Sequence, residues 1–223
     1  LEKIVGKKYL SAQKEELLCH SYDATGTSFL PDAVIFPGNQ DQIAKIFKLA
    51  SQKKISIIPR GSGSGMTGGA IPVQGGVVLV TSRMNKILEI DEENFIVRVE
   101  PGVVVANLHS ACEARGLFYP PDPASSSVCT IGGNIGECAG GPRAVKYGVT
   151  RDYVLGLRAV MPSGDIIKTG VATAKGVAGY DLTRLIVGSE GTLAVVTEII
   201  LKLLPKPRAV KTLAVLFDNM DTA

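Results

Sequence analysis

Five glycines fall in the nine positions that follow Arg60, in the run Gly61-Ser62-Gly63-Ser64-Gly65-Met66-Thr67-Gly68-Gly69. Glycine has no Cβ and reaches positive φ without strain, so successive N–H groups in such a loop can turn inward and form a concavity for an anion. A phosphate or pyrophosphate suits that composition, and a dinucleotide is its natural guest. The letters from Gly63 to Gly68 also satisfy G-x-G-x-x-G, the fingerprint of a strand-loop-helix dinucleotide fold. Their surroundings argue against that fold. Gly69-Ala70-Ile71-Pro72 and Gly75-Gly76 intervene before another β-branched run at 77–80, and the position twenty past Gly63 is Arg83, not an acid for a ribose. No G-x-x-x-x-G-K-[ST] motif occurs. The loop therefore reads as a strand-loop-strand phosphate cradle; apolar runs tight on both sides make a flexible glycine linker the weaker reading.

A second equipped stretch is PPDPASSSVCTIGGNIGECAGGPRAVKYG, residues 120–148. Its prolines, serines and glycines work against long regular elements. It offers hydroxyls at Ser125, Ser126 and Thr130, an amide at Asn134 and cations at Arg143 and Lys146. Those groups suit a polar, anionic, planar ligand. The alternative is a surface Ω-loop, but irregular stretches of this length inside compact chains are usually functional.

Other chemistry is less supported. Cys19, Cys112, Cys129 and Cys138 show no C-x-x-C spacing, and His20 and His109 are the only imidazoles, so no metal site is expected. Free thiols in a reducing compartment are the expectation. His109 reads as a core-edge histidine on a helix.

Elements must hold the two stretches in place. Residues 1–20 read as one or two amphipathic helices broken near Gly6, followed by a loop at 21–28. A strand at 33–37, a helix capped by Asn39 and running to about 52, and a strand at 55–58 then deliver the cradle as a β-α-β unit. Runs at 77–81, 87–90 and 95–99 suggest a small mixed sheet, and 104–115 a helix ended by Gly116. A hairpin is expected over 152–168 around Pro162-Ser163-Gly164-Asp165, a short buried helix at 180–187 and a small-residue turn at 188–192. A β-branched run over 193–204 stops at Pro205-Lys206-Pro207, and 212–217 reads as one more strand.

With 223 residues, 45% of them hydrophobic, the chain can bury a real core. A net charge of +3, without like-charge runs or aromatic-basic interleaving, argues against nucleic acid. Apolar runs are too short and interrupted to span a membrane. The opening LEKIVGKKYL has no signal-peptide h-region, and the absence of an initial methionine suggests a piece of a longer protein.

PRGSGSGMTGGA, the 120–148 stretch and GYDLTRLIVGSEGTLAVVTEIILKLLP, in that order, closely resemble the flavin-binding portion of the FAD-linked oxidase family related to vanillyl-alcohol oxidase. Within it the nearest resemblance is to the glycolate oxidase D subunit and D-lactate dehydrogenase group, over about residues 22–207. The resemblance implies an α+β fold, a PCMH-type FAD-binding domain of two α/β lobes. It divides the chain into an N-terminal helical segment at 1–30, the FAD-binding domain at 31–207 with lobes of about 31–101 and 102–207, and the incomplete start of a cap domain at 208–223. It implies that Pro59, Arg60, Gly61, Ser62, Gly63, Ser64, Gly65 and Thr67 hold the FAD pyrophosphate, with further contacts from Pro121, Asp122, Ser125 and Ser126. Thr130, Gly132, Gly133, Asn134, Ala139, Gly140, Gly141 and Tyr147 would line the flavin or its ribityl chain, and Glu190, Gly191, Val195 and Val196 would approach the adenosine end.

Family members with covalently attached flavin carry histidine where this chain places Ser64, so non-covalent FAD is implied. The implied activity is oxidation of a small 2-hydroxy acid such as glycolate or D-lactate to the 2-oxo acid, with hydride transfer to flavin. The catalytic groups would lie in a following cap domain. An electron acceptor (quinone, electron-transfer flavoprotein or cytochrome) or partner oxidase subunits would complete the system, in the cytoplasm or at the periphery of the inner membrane. The alternative is an FAD-binding electron-transfer module or subunit without substrate chemistry of its own.

Overall fold

The computed structural model describes residues 1–173 and 175–222. Ala174 and Ala223, which fall within the expected units 31–207 and 208–223, lie outside the described residues. The chain folds as mixed α+β around two larger sheets.

The first sheet is built around the cradle. Helix α1 (Glu2–Val5) stops at Gly6, whose φ of 88° only glycine adopts readily, and a 3-10 turn leads into strand β1 (Leu10–Ser11). The expected N-terminal helical segment is thus interrupted by a strand before α2 (Lys14–Cys19), because Leu10 and Ser11 pair antiparallel with β2 (Ala33–Ile35). Asn39 then caps α3 (Gln40–Lys53), its side chain accepting from the Gln42 N–H at 3.0 Å. Strand β3 (Ile57–Arg60) starts two residues later than the pattern suggests, since Lys54 takes a left-handed conformation to end the helix. Strand β4 (Val77–Val80) lies between β2 and β3, parallel to both, with Arg60 opposite Val80. All four β4 residues are buried, as befits a central parallel strand.

The second sheet has the order β5-β6-β10-β8-β9 and is antiparallel throughout. Its strands are β5 (Ile87–Asp91), β6 (Ile96–Val99), β8 (Val154–Val160), β9 (Ile166–Gly170) and β10 (Val195–Lys202). Two of them precede residue 101 and three follow it, so the sheet crosses the expected lobe boundary. Between them run α4 (Val105–Glu113), β7 (Leu117–Phe118), α5 (Ile131–Glu137), α6 (Ala144–Tyr147) and α7 (Leu182–Ile186), and β11 (Leu204–Pro205) pairs back onto β7.

Two principal cores result. Leu108 of α4, Ile131 and Ile135 of α5 and Ile186 of α7 pack on Val97, Leu157, Ile199 and Leu201 of the five-stranded sheet. Ile43 and Ile46 of α3 pack on Ile35 and Leu79, with Val160 and Val195 of the other sheet joining them. Each fully buried branched side chain contributes on the order of 1.5–3 kcal/mol relative to exposure. The shared contacts join the sheets, so the loops between them are held from both sides.

Two further expectations change. Helix α7 is only half buried, with Thr183 and Ile186 inward while Leu182 and Leu185 remain exposed. Residues 212–217 form no strand and pair with none among the described residues.

Candidate functional site

Residues 61–76 connect parallel neighbours β3 and β4 without a helix, the strand-loop-strand form expected of the cradle. Arg60 fixes its shape. That residue is 5% exposed, and its guanidinium donates to the carbonyls of Tyr22 (2.7 Å) and Ala70 (3.2 Å). Burial lowers its affinity for its proton, while Asp23 opposes that shift. The Arg60 charge is therefore committed to carbonyls, and the residue acts as a strut inside the loop. Gly63 curls over it with a φ of 72°, where a Cβ would strike the guanidinium.

A segment absent from the expected site completes this support. Asp23 accepts from the Gly68 N–H at 3.1 Å, and the Gly65 carbonyl accepts from the Ala24 N–H at 3.0 Å. Composition gave no signal for this role, because residues 21–28 read as an ordinary polar loop.

The second stretch is more regular than its glycines suggest. Thr130 caps α5, its hydroxyl accepting from the Gly133 N–H at 3.3 Å. Gly132 lies against Pro101, where a Cβ would come within 2.7 Å of the proline Cβ, so the close approach of the chain accounts for glycine at that position. The turn 188–192 docks on the helix's far end. Gly188 and Glu190 N–H groups donate to the Ile135 and Gly136 carbonyls, both at 2.9 Å, which satisfies carbonyls the short helix leaves open. Glu190 holds a φ of 51°, uncommon outside glycine, and its carboxylate accepts from Thr67 Oγ1 at 2.8 Å. Gly61 touches the same helix cap, since a Cβ there would meet Thr130 Oγ1. The cradle, α5 and the 188–192 turn thus close around one cleft.

That cleft contains about 1000 Å³ of non-atom space, part of it open to solvent. Of the expected site residues, its wall includes Pro59, Arg60, Gly61, Ser62, Gly63, Ser64, Gly65, Ser125, Thr130, Gly132, Gly133, Asn134, Ala139, Glu190, Gly191, Val195 and Val196. Seven others are not on that wall. Thr67 is bonded to Glu190; Pro121 accepts from His109 Nε2 at 2.9 Å; Asp122 pairs with Arg143 at 3.3 Å; and Tyr147 packs edge-on against Phe118. Ser126 gives its carbonyl to the Ala106 N–H. Gly141 presses on the Asp122 carbonyl, and Gly140 lies against Val149 and Ala144. Sequence reasoning missed Pro101, Cys129, Gly136, Glu137, Ser189 and Ala194, which also line the cleft; Gly136 and Glu137 join it through α5, a helix whose glycines hide it in the sequence.

One atom on this wall is unsatisfied. Asn134 is 3% exposed, and its Nδ2 is buried without a hydrogen-bond partner among the described residues. A buried amide donor left unpaired is costly, and a ligand acceptor in the cleft would satisfy it.

Residues 31–170 match the family described as the FAD binding domain. The chain belongs to this FAD-binding family. The domain is 56% identical over 207 residues to glycolate oxidase subunit GlcD of Bacillus subtilis (strain 168), covering 92% of this chain and 44% of that protein. It is 42% identical over 191 residues to D-lactate dehydrogenase of Anaerostipes hadrus, covering 86% and 40% respectively. The chain thus spans less than half the length of these curated relatives. Among solved structures it resembles an alkyldihydroxyacetonephosphate synthase (26% identity, TM-score 0.79, 91% of this chain and 39% of that one). It also shares the fold of p-cresol methylhydroxylase at 23% identity, with a TM-score of 0.80 over 93% of this chain and 42% of that one. The PCMH-type α+β fold and FAD as cofactor follow. The cleft suits that cofactor: glycines bring backbone close on two sides, and the Asn134 amide awaits an acceptor. No helix among the described residues is long and apolar enough to cross a membrane, and no group of potential metal ligands occurs among them.

Proposed function

We propose that this chain is the FAD-holding part of an oxidoreductase that converts a small 2-hydroxy acid, such as glycolate or D-lactate, to the 2-oxo acid. The observation that carries the reading is the cleft closed by the 61–69 loop, α5 and the 188–192 turn, with the buried Asn134 amide, unpartnered among the described residues, on its wall. Relatives named glycolate oxidase subunit and D-lactate dehydrogenase support the substrate class. When bound, FAD supplies the redox chemistry by accepting the hydride from the alcohol carbon.

The protein's part is to hold and shield it. Backbone N–H groups at 61–65 would face the diphosphate, and Asn134 and Thr130 would face the flavin half. We read the cofactor as non-covalent. Ser64 stands in the first loop, no histidine or tyrosine lines the cleft among the described residues, and burial keeps the Cys129 thiol above its ordinary range. A thiol held protonated is a poor nucleophile. In this reading residues 31–207 form the cofactor unit, residues 208–223 begin a substrate unit, and a quinone, flavoprotein or cytochrome reoxidises the flavin.

The test is anaerobic addition of glycolate or D-lactate to the full-length, FAD-loaded protein, following flavin absorbance near 450 nm, with this chain assayed beside it. Bleaching by a 2-hydroxy acid in the full-length protein and none in this chain is expected. No bleaching of the full-length protein with any 2-hydroxy acid would favour an electron-transfer module instead.

A further inference from the structure

Glu137 stands three residues past Asn134 on α5, and both side chains line the cleft. Its carboxylate lies directly against Gly65, so close that a Cβ on that glycine would overlap Oε1. Glycine loop, α5, turn 188–192 and loop 21–28 all meet there. The charged groups they bring are Glu137, Glu190 and Asp23, with the Thr67 hydroxyl between them. The one cation within residues 60–69 is Arg60, whose guanidinium is spent on the Tyr22 and Ala70 carbonyls. No ion pair involving Glu137, Glu190 or Asp23 occurs among the described residues. A diphosphate placed on this loop brings two more negative charges to a corner that already carries three carboxyls.

We propose that the cleft takes an anionic dinucleotide with Glu137 in its neutral form, so that loading of FAD draws one proton from solvent onto this carboxyl. The exchange is a simple protonation: the carboxylate gains H⁺ to become the acid, no other bond forms or breaks, and the diphosphate keeps both charges. Glu137 is the member suited to this. Loss of water around its carboxyl, then the charges of Glu190 and Asp23, hold it above the usual carboxylate range, against a smaller opposing pull from the Thr67 hydroxyl. Glu190 accepts from Thr67 Oγ1 at 2.8 Å and Asp23 from the Gly68 N–H at 3.1 Å. A neutral Glu137 becomes a donor where the carboxylate would repel.

This inference rests on the placement of FAD in the cleft, and the experiment separates the two. FAD affinity of the apoprotein is measured by flavin fluorescence between pH 6 and 9 for the wild type and Glu137→Gln, with calorimetry in phosphate and in Tris to count protons. Wild-type affinity is expected to fall by up to about tenfold per pH unit once Glu137 is ionised in the free protein, as uptake of one proton requires. Calorimetry should then show uptake approaching one proton. Glu137→Gln should show no such uptake, a flat profile, and tighter binding than the wild type at pH 9. Weaker binding by Glu137→Gln across the range, or wild-type binding without proton uptake, would overturn the role of Glu137 while leaving FAD in place. Failure of the wild type to bind FAD at any pH would overturn the placement itself, and this proposal with it.

Discussion

Arg60 has a role its type does not announce. A cation beside a glycine loop invites a direct phosphate contact, yet the guanidinium faces the Tyr22 and Ala70 carbonyls and the loop is wrapped around it. Individual residues could be picked out as candidates from their types, but their partners lay far off in the chain. The cysteines show the same point in a testable way. Burial pushes the Cys112 thiol up to about 11, and Cys129 is shifted in the same direction, while Cys19 is exposed. Since the thiolate is the reactive species, iodoacetamide at pH 8 should label Cys19 within minutes and leave Cys112 and Cys129 unmodified until the protein unfolds. Peptide mass mapping of the native and denatured protein reads this directly. Labelling of Cys112 in the native state at the rate of Cys19 would show that the core around α4 opens readily.

At the scale of elements, α3 was legible because its apolar spacing and Asn39 cap agree, and the hairpin of β8 and β9 was legible from its turn. Helix α5 was not. Three glycines in seven residues read as loop, and what holds them helical is the Thr130 cap, the contact with Pro101 and the two carbonyls covered by the 188–192 turn. None of these is local in sequence. The strand expected at 212–217 is the converse case: β-branched residues are present, but the segment pairs with no strand among the described residues. The glycines of α5 differ in their surroundings. A Cβ on Gly133 meets only Thr130 Oγ1 at 3.4 Å, so Gly133→Ala should stabilise the apoprotein by up to about 1 kcal/mol through helix propensity. Gly132→Ala forces a methyl into Pro101 and should destabilise by about 1–3 kcal/mol. Urea unfolding of the two apoprotein variants decides the matter, and equal effects would mean that the approach to Pro101 does not constrain the helix.

For the whole molecule, the organising fact is that a loop, a helix and a turn from distant parts of the chain close one cleft, with the two sheets sharing core contacts at Val160 and Val195. Motifs at 59–69, 120–148 and 188–196 could be recognised separately, and family resemblance placed them in order. Their convergence depends on Gly61 meeting the Thr130 cap and on Glu190 bonding to Thr67, which only the fold supplies. The central claim is that these segments hold one FAD together and without a covalent bond.

The most direct test is a fluorescence titration of the apoprotein with FAD, comparing the wild type with Gly61→Val in the first loop and Asn134→Ala on α5, with circular dichroism confirming that each is folded. The wild type should bind one FAD that denaturation releases intact. Gly61→Val, which pushes the cradle off Thr130, should lose at least about tenfold in affinity, equivalent to roughly 1.4 kcal/mol. Asn134→Ala should lose roughly threefold to tenfold, the value of one hydrogen bond. Unchanged affinity in either folded variant, or flavin that stays on the denatured polypeptide, would contradict the account.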